Sequence, residues 1–261
     1  MIDPRLSDVL LSRIAAHCSP GLQVVGICGA QGSGKSTLVA HLAGRLEALG
    51  RRVATLSLDD LYLTRMERLR LAEQVHPLFA TRGVPGTHDV ALGLATIAAL
   101  DRGEAAWLPR FDKARDDRTP SGEWPTAPAQ TEVLLLEGWC LGAVPQLDVS
   151  GPVNALEARD DPQGTWRGHA NAALAGVYKT LFARIDLLVL LAAPGWEVVA
   201  RWREQQEAQL RAKGGPAVMA PAEVARFIQH YERLTRWILE EMPARADLTV
   251  RLGPNREVLS L

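Results

Sequence analysis

Residues 29–36 read Gly29–Ala30–Gln31–Gly32–Ser33–Gly34–Lys35–Ser36, a G-x-x-x-x-G-K-S run. Residue types at this spacing hold a polyphosphate. The glycines let the backbone curl so that successive N–H groups point at phosphate oxygens. Lys35 has the length and charge to reach the β- and γ-phosphates, and the Ser36 hydroxyl suits Mg²⁺. Leu22–Cys28 (LQVVGIC) before the run has strand character. Thr37–Leu49 after it has a helix face marked by Leu38, Leu42 and Leu49. Strand, glycine-rich turn and helix together separate the motif from a chance glycine turn. The start of the helix, with Thr37, adds a partial positive charge and unpaired N–H donors. A nucleoside triphosphate such as ATP is the expected ligand, with Mg²⁺.

Acidic residues follow two further apolar runs. Ser57–Tyr62 (SLDDLY) places Asp59 and Asp60 after the second. In a parallel sheet the carboxyl ends of strands face the ligand crevice. One of these carboxylates could accept a proton from a substrate hydroxyl or hold Mg²⁺ through water; the alternative is an N-cap for the next helix. Glu137–Gly138–Trp139 ends the third run, and an acid there matches a Walker-B position beside Mg²⁺.

In the stretch Arg82–Asp89 (RGVPGTHD), Gly83, Pro85 and Gly86 form a turn. His88 could donate to a substrate oxygen. Asp89 either contacts substrate or, like Thr87, caps the helix at 90–100. Arg110, Lys113 and Arg118 make a cationic group in the next loop. They suit a carboxylate or form a solvated charged surface. Further on, Arg203, Arg211 and Lys213 could close over the triphosphate, or pair with Glu204 and Glu207. Trp139, Trp196, Trp202 and Trp237 are expected to pack rather than stack on a base.

The elements that must position these groups follow from periodicity. Leu22–Cys28, Arg52–Leu58, Thr131–Glu137, Asp186–Ala192 and Ala246–Leu252 are expected strands. Their near-continuous apolar character suits parallel strands covered on both faces. Helical patterns lie at Thr37–Leu49, Asp89–Leu100, Ala170–Ile185, Gly195–Lys213 and Ala222–Met242, with Pro221 and Pro243 bounding the last. Leu6, Val9, Leu10 and Ile14 suggest an amphipathic first helix. The alternation implies an α/β, doubly wound parallel sheet with helices on both faces. Residues 102–130 and 143–168 read as long surface loops. No domain boundary is visible, so 1–261 is taken as a single domain.

Composition narrows the function. The chain has 261 residues, 47% hydrophobic, with a formal net charge of −1. That balance argues against a basic nucleic-acid footprint. No apolar run approaches the about 20 residues that span a bilayer, and the N-terminus lacks a secretory pattern. Cys18, Cys28 and Cys140 are odd in number and far apart, which fits a reduced, cytoplasmic setting. Cys28 reads as a buried small apolar residue. The partner is expected to be a small molecule, with no nucleic acid and no membrane; the sequence leaves the oligomeric state open.

The chain resembles the D-glycerate 3-kinase family of P-loop kinases, which is related to uridine kinase, pantothenate kinase and phosphoribulokinase. The resemblance rests on GAQGSGKST, SLDDLYLT, RGVPGTHD, LPRFDK at Leu108–Lys113, LLEGWCLG and WREQQEAQLRAKG at Trp202–Gly214. These occur in family order across nearly the whole chain. The resemblance implies a P-loop NTPase fold with a five-stranded parallel sheet and a helical lid within 195–220. It implies Asp59 as catalytic base, Glu137 as the Mg²⁺-associated acid, and transfer of the γ-phosphoryl group of ATP to D-glycerate, giving 3-phosphoglycerate. It puts the LPRFDK loop, with Arg110, Asp112 and Lys113, at the acceptor. Phe111 departs from the family pattern, which leads one to expect Tyr, and 113–118 is compact. The rivals are a P-loop kinase for a nucleoside, pantothenate or another sugar acid, and an ATP-binding switch or assembly factor. The chain has no N-K-x-D guanine signature, transporter signature or helicase acid cluster.

Overall fold

A computed structural model describes residues 2–16, 21–212 and 219–261; the side chains of 209–212 and 221 also lie outside the described part. Cys18 and Lys213 fall outside it. The main sheet has strands β1 (Gln23–Gly29), β2 (Val53–Ser57), β3 (Val133–Gly138), β4 (Leu187–Ala192), β5 (Leu248–Leu252) and β6 (Val258–Ser260). Their order is β6-β5-β4-β1-β3-β2. The first five strands pair in parallel, in the positions that their apolar runs predict. β6 is an addition to the expected five strands. It pairs antiparallel with β5 at the sheet edge. It is three residues long and partly exposed, so it leaves no apolar run to read.

Helices α1 (Pro4–Ala16), α2 (Lys35–Ala48), α3 (Arg65–Gln74), α4 (Val90–Asp101), α5 (Ala155–Asp160), α6 (Thr165–Ala175), α7 (Val177–Phe182), α8 (Trp196–Ala212) and α9 (Pro221–Glu241) surround the sheet. α2 packs on β1, β2 and β3, and α1 packs on α2. β1, β3 and β4 are buried along almost their whole length, because parallel central strands are covered on both faces. The helix expected at Ala170–Ile185 is two helices, broken at Gly176. The expected loop at 143–168 contains α5 and the start of α6. The loop at 102–130 folds into two short antiparallel ribbons, Ala106–Trp107 with Thr126–Ala127 and Phe111–Asp112 with Asp117–Arg118. No helix among the described residues is long and apolar enough to cross a membrane.

Register sets the site. Ile27 of β1 lies beside Glu137 of β3, and Glu137 lies beside Ser57 of β2. The P-loop, the β3 acid and the SLDDLY segment therefore leave the sheet at one carboxyl edge.

Candidate active site

The phosphate end of the site is backbone. Gly34 precedes α2 with φ 93° and no side-chain cap, so the first N–H groups of α2 stay available to an anion. Lys35 Nζ donates to the Ala30 carbonyl at 3.2 Å. Ser36 Oγ donates to Glu137 Oε1 at 3.0 Å. The Gly32 carbonyl accepts from Arg256 Nε at 2.5 Å, and the Arg256 guanidinium lies 5.0 Å from the Trp202 ring centre. Arg256, in the β5–β6 turn, thus ties the chain's last hairpin to the P-loop. Sequence reading had not singled it out.

A cleft of about 250 Å³ opens from the P-loop. Gly32, Lys35, Ser36, Asp59 and Glu137 line it, with Arg203 of α8 above. Asp59 belongs to a short 3₁₀ turn, Leu58–Leu61, whose cap is Ser57: its Oγ accepts from Asp59 N at 3.2 Å. The Asp59 carboxylate is therefore not the capping group. Its Oδ1 accepts from the Tyr62 hydroxyl at 2.8 Å and its Oδ2 from Lys113 Nζ at 2.6 Å. Burial alone pushes this carboxyl up. The charge and hydrogen bond of Lys113, the Tyr62 hydroxyl and Lys35 outweigh that push and hold it at about 2. Asp60 behaves oppositely: burial raises its pKa, against the opposing charge of Arg110. It accepts from Phe111 N at 3.2 Å and from Arg110 Nη1 at 3.5 Å.

The structure redistributes the residues expected at the acceptor. Only Lys113 among them lines this cleft. Arg110 is drawn to Asp60 and lines, with Thr55 and Ser57 of β2, an adjoining groove that shares Ser36 and Glu137 with the cleft. Arg118 is committed to Asp89 Oδ2 at 3.1 Å and to the Tyr62 carbonyl at 3.0 Å. Asp89 caps α4, accepting from Leu92 N at 2.9 Å, while Thr87 closes the preceding turn by donating to the Val84 carbonyl. Asp112 holds its own turn, accepting from Ala114 N and Arg115 N. His88 is buried behind Tyr62, its ring 4.6 Å from the Tyr62 ring, with Nδ1 2.6 Å from the Tyr178 hydroxyl. Burial lowers its pKa to about 4, against the pull of Asp59, so the ring is neutral and buttresses Tyr62.

The cleft wall contains five further groups to which the sequence motifs gave no role in the site: Tyr62, Arg82, Gln206, Phe227 and Tyr231. Trp139, expected to pack, does so and also forms wall: its Nε1 donates to the Gly83 carbonyl at 2.9 Å and its ring meets Tyr231 edge-on. Gly83 has φ 137°, and a Cβ there would land on the Tyr231 hydroxyl. The glycine is what lets α9 bring Tyr231 against the 82–89 turn. In the lid segment, Arg203 pairs with Glu207 and lies 5.5 Å from the Phe227 ring centre. The backbone of Arg211 continues α8, and its side chain lies outside the described residues.

Residues 3–62 match the family model described as methylmalonyl Co-A mutase-associated GTPase MeaB, a match that runs from α1 through the P-loop, α2 and β2 to Tyr62 and covers less than a quarter of the chain. An uncharacterized kinase of Schizosaccharomyces pombe is 37% identical over 220 residues, covering 80% of this chain and 78% of that protein. A chloroplastic D-glycerate 3-kinase of Arabidopsis thaliana is 33% identical over 218 residues, which is 80% of this chain but 46% of that protein. A D-glycerate 3-kinase structure from Cryptococcus neoformans superposes with a TM-score of 0.80 at 28% identity, covering 98% of this chain and 97% of that one. Phosphate loop, strand-end acids and whole-chain similarity thus agree, and the chain belongs to the glycerate 3-kinase-like family of P-loop kinases, enzymes that use ATP to phosphorylate small molecules.

Proposed function

We propose that this kinase transfers the γ-phosphoryl group of ATP to a hydroxyl of D-glycerate, giving 3-phosphoglycerate. The observation that carries the reading is the meeting, in one small cleft, of the P-loop with Asp59 and a cationic wall. The D-glycerate 3-kinase relatives support the choice of acceptor.

The P-loop amides and Lys35 would neutralise charge on the β- and γ-phosphates. Asp59 would orient the acceptor hydroxyl and take its proton as the new P–O bond forms and ADP leaves. Each carboxylate oxygen already accepts one hydrogen bond and retains a lone pair for the substrate. A weak base suffices, because the transition state of phosphoryl transfer is loose and the proton departs late. Arg203 would close the phosphate side, limiting water's access.

Ser36 and Glu137 present two hard oxygens side by side, a donor set that fits Mg²⁺, which takes few protein ligands and keeps water and phosphate oxygens. Bound there, the ion would offset phosphate charge. Glu137→Gln is expected to raise the Mg²⁺ concentration for half-maximal rate several-fold, since a hard cation favours a charged oxygen. A rate-versus-Mg²⁺ titration at fixed ATP checks this, and an unchanged midpoint removes Glu137 from the metal site.

The acceptor is tested by coupled ADP release with D-glycerate, glycerol, pantothenate and uridine. D-glycerate is expected to give the highest kcat/KM and glycerol almost none. A wide margin for uridine or pantothenate would overturn the reading. Rapid ATP hydrolysis unaffected by every acceptor would point instead to a switch.

A further inference from the structure

The cations around the cleft differ in how fully they are already engaged. Lys113 is held by Asp59 and Arg203 by Glu207. Lys35 sits among the phosphate donors. Arg110 is paired with Asp60 in the neighbouring groove, and Arg118 with Asp89, each with its own acid. Arg82 is different. Its Nη1 pairs with Asp116 Oδ1, but Asp116 also serves Arg68, whose Nη2 lies 2.9 Å from Oδ2. Arg68 is fully buried and spends its remaining donors on the carbonyls of Leu63, Ala80 and Asp116. One carboxylate thus serves two guanidinium groups, and the cluster keeps one net positive charge.

Arg82 is also where that charge meets the cleft. Nε and Nη2 have no hydrogen-bond partner among the described residues, whereas every nitrogen of Arg68 is used. The Arg82 guanidinium lies 5.6 Å from the Phe111 ring centre and Arg68 lies 5.9 Å from it. Tyr62 meets the same ring edge-on. Phe111 thus braces both Arg82 and Tyr62, and Tyr62 holds Asp59. A guanidinium fixed by an aromatic ring and one carboxylate retains in-plane N–H donors, which suit a second carboxylate.

Resting on the D-glycerate reading above, we propose that Arg82, positioned by Asp116 and Phe111, binds the acceptor's carboxylate and gives the enzyme its preference for hydroxy acids over neutral polyols. An acid of three carbons is short, so its carboxylate anchor and the base for its hydroxyl must be walls of one cleft. Arg82 and Asp59 are such walls. A carboxylate leaving water for this site needs a cation whose charge is not fully balanced, and Arg82, whose one acid is shared with Arg68, supplies it.

The test compares wild type, Arg82→Lys and Arg82→Gln on D-glycerate and on its neutral amide, glyceramide. Arg82→Gln is expected to raise the KM for D-glycerate roughly 10- to 150-fold, the range for a lost charged hydrogen-bonding partner. The KM for ATP should move less than about 2-fold, and the preference for acid over amide should collapse. Arg82→Lys keeps the charge without the fork and should fall between. Because the Asp116 pair is also lost, ligand-induced thermal shift is the second readout: ATP should stabilise wild type and variant alike, D-glycerate only wild type. An unchanged D-glycerate KM, or equal losses on acid and amide, overturns the assignment. If wild type instead prefers another hydroxy acid, the glycerate reading falls, and the anchor stands only if Arg82→Gln raises that acid's KM. A neutral best acceptor overturns both.

Discussion

Lys35→Ala is expected to lower kcat/KM by roughly 10²–10⁴ while leaving a folded protein, because a fixed charge on the transferring phosphates acts in a site with little water. Two observations set this expectation. Lys35 has no salt bridge to a carboxylate among the described residues; its ammonium donates to the Ala30 carbonyl, so no ion pair has to break before it meets the phosphates. The same sparse bonding means that its removal breaks little of the fold. Circular dichroism and thermal unfolding check the fold, and steady-state kinetics the loss. A folded variant with wild-type turnover would take the P-loop out of the reaction.

Asp59→Asn should be comparably severe, but in a different parameter. Phosphoryl transfer is expected to fall roughly 10²–10⁴-fold, the scale of a lost general base, with ATP affinity nearly unchanged. Asparagine keeps the size and can still accept from Tyr62 or Lys113, but it cannot take the proton. Because Ser57 caps the turn, the substitution should not unwind it. Lys113 is 60% exposed and can rehydrate when its partner's charge is lost. The lowered pKa also fixes a sign. Asp59 loses its charge only as pH falls toward about 2, so the acid limb of the rate profile is not its titration. Single-turnover transfer and a separate ATP-binding titration measure the two effects. Asp60→Asn should cost less. If it costs more, the base is the other acid of the pair.

The strands were legible because central parallel strands are apolar on both faces, which leaves runs such as VLLLEG unmistakable. α3 was not. Only Arg68 of RMERLRLAEQ is buried, so it shows no apolar face. Its readable signal was the capping box of Thr64 and Glu67. The phosphate half of the site was equally plain, being one contiguous motif. The acceptor half depended on which acid claimed which arginine. Asp60 took Arg110 and Asp89 took Arg118, pairings made across 50 and 29 positions that linear spacing does not reveal. Arg82 stood in a motif already singled out, but only the turn at Gly83 decides that it, and not His88, reaches the cleft. Tyr231 arrives from α9 and had no local signal.

Asp59, Tyr62, Arg82, Phe111, Lys113 and Asp116 all belong to the single connection between β2 and β3, whereas the phosphate grip is made by the β1–α2 turn and the end of β3. On the proposed reading, the acid and cations that would meet the acceptor thus come mainly from one stretch of chain, with Phe227 and Tyr231 of α9 completing the wall. Loop variation on a constant scaffold is how folds of this kind diversify. For a protein engineer, residues 59–118 form a cassette: exchanged whole, it carries the proposed base, its ring brace and the proposed anchoring arginine together, whereas point changes inside it separate groups that hold one another in place.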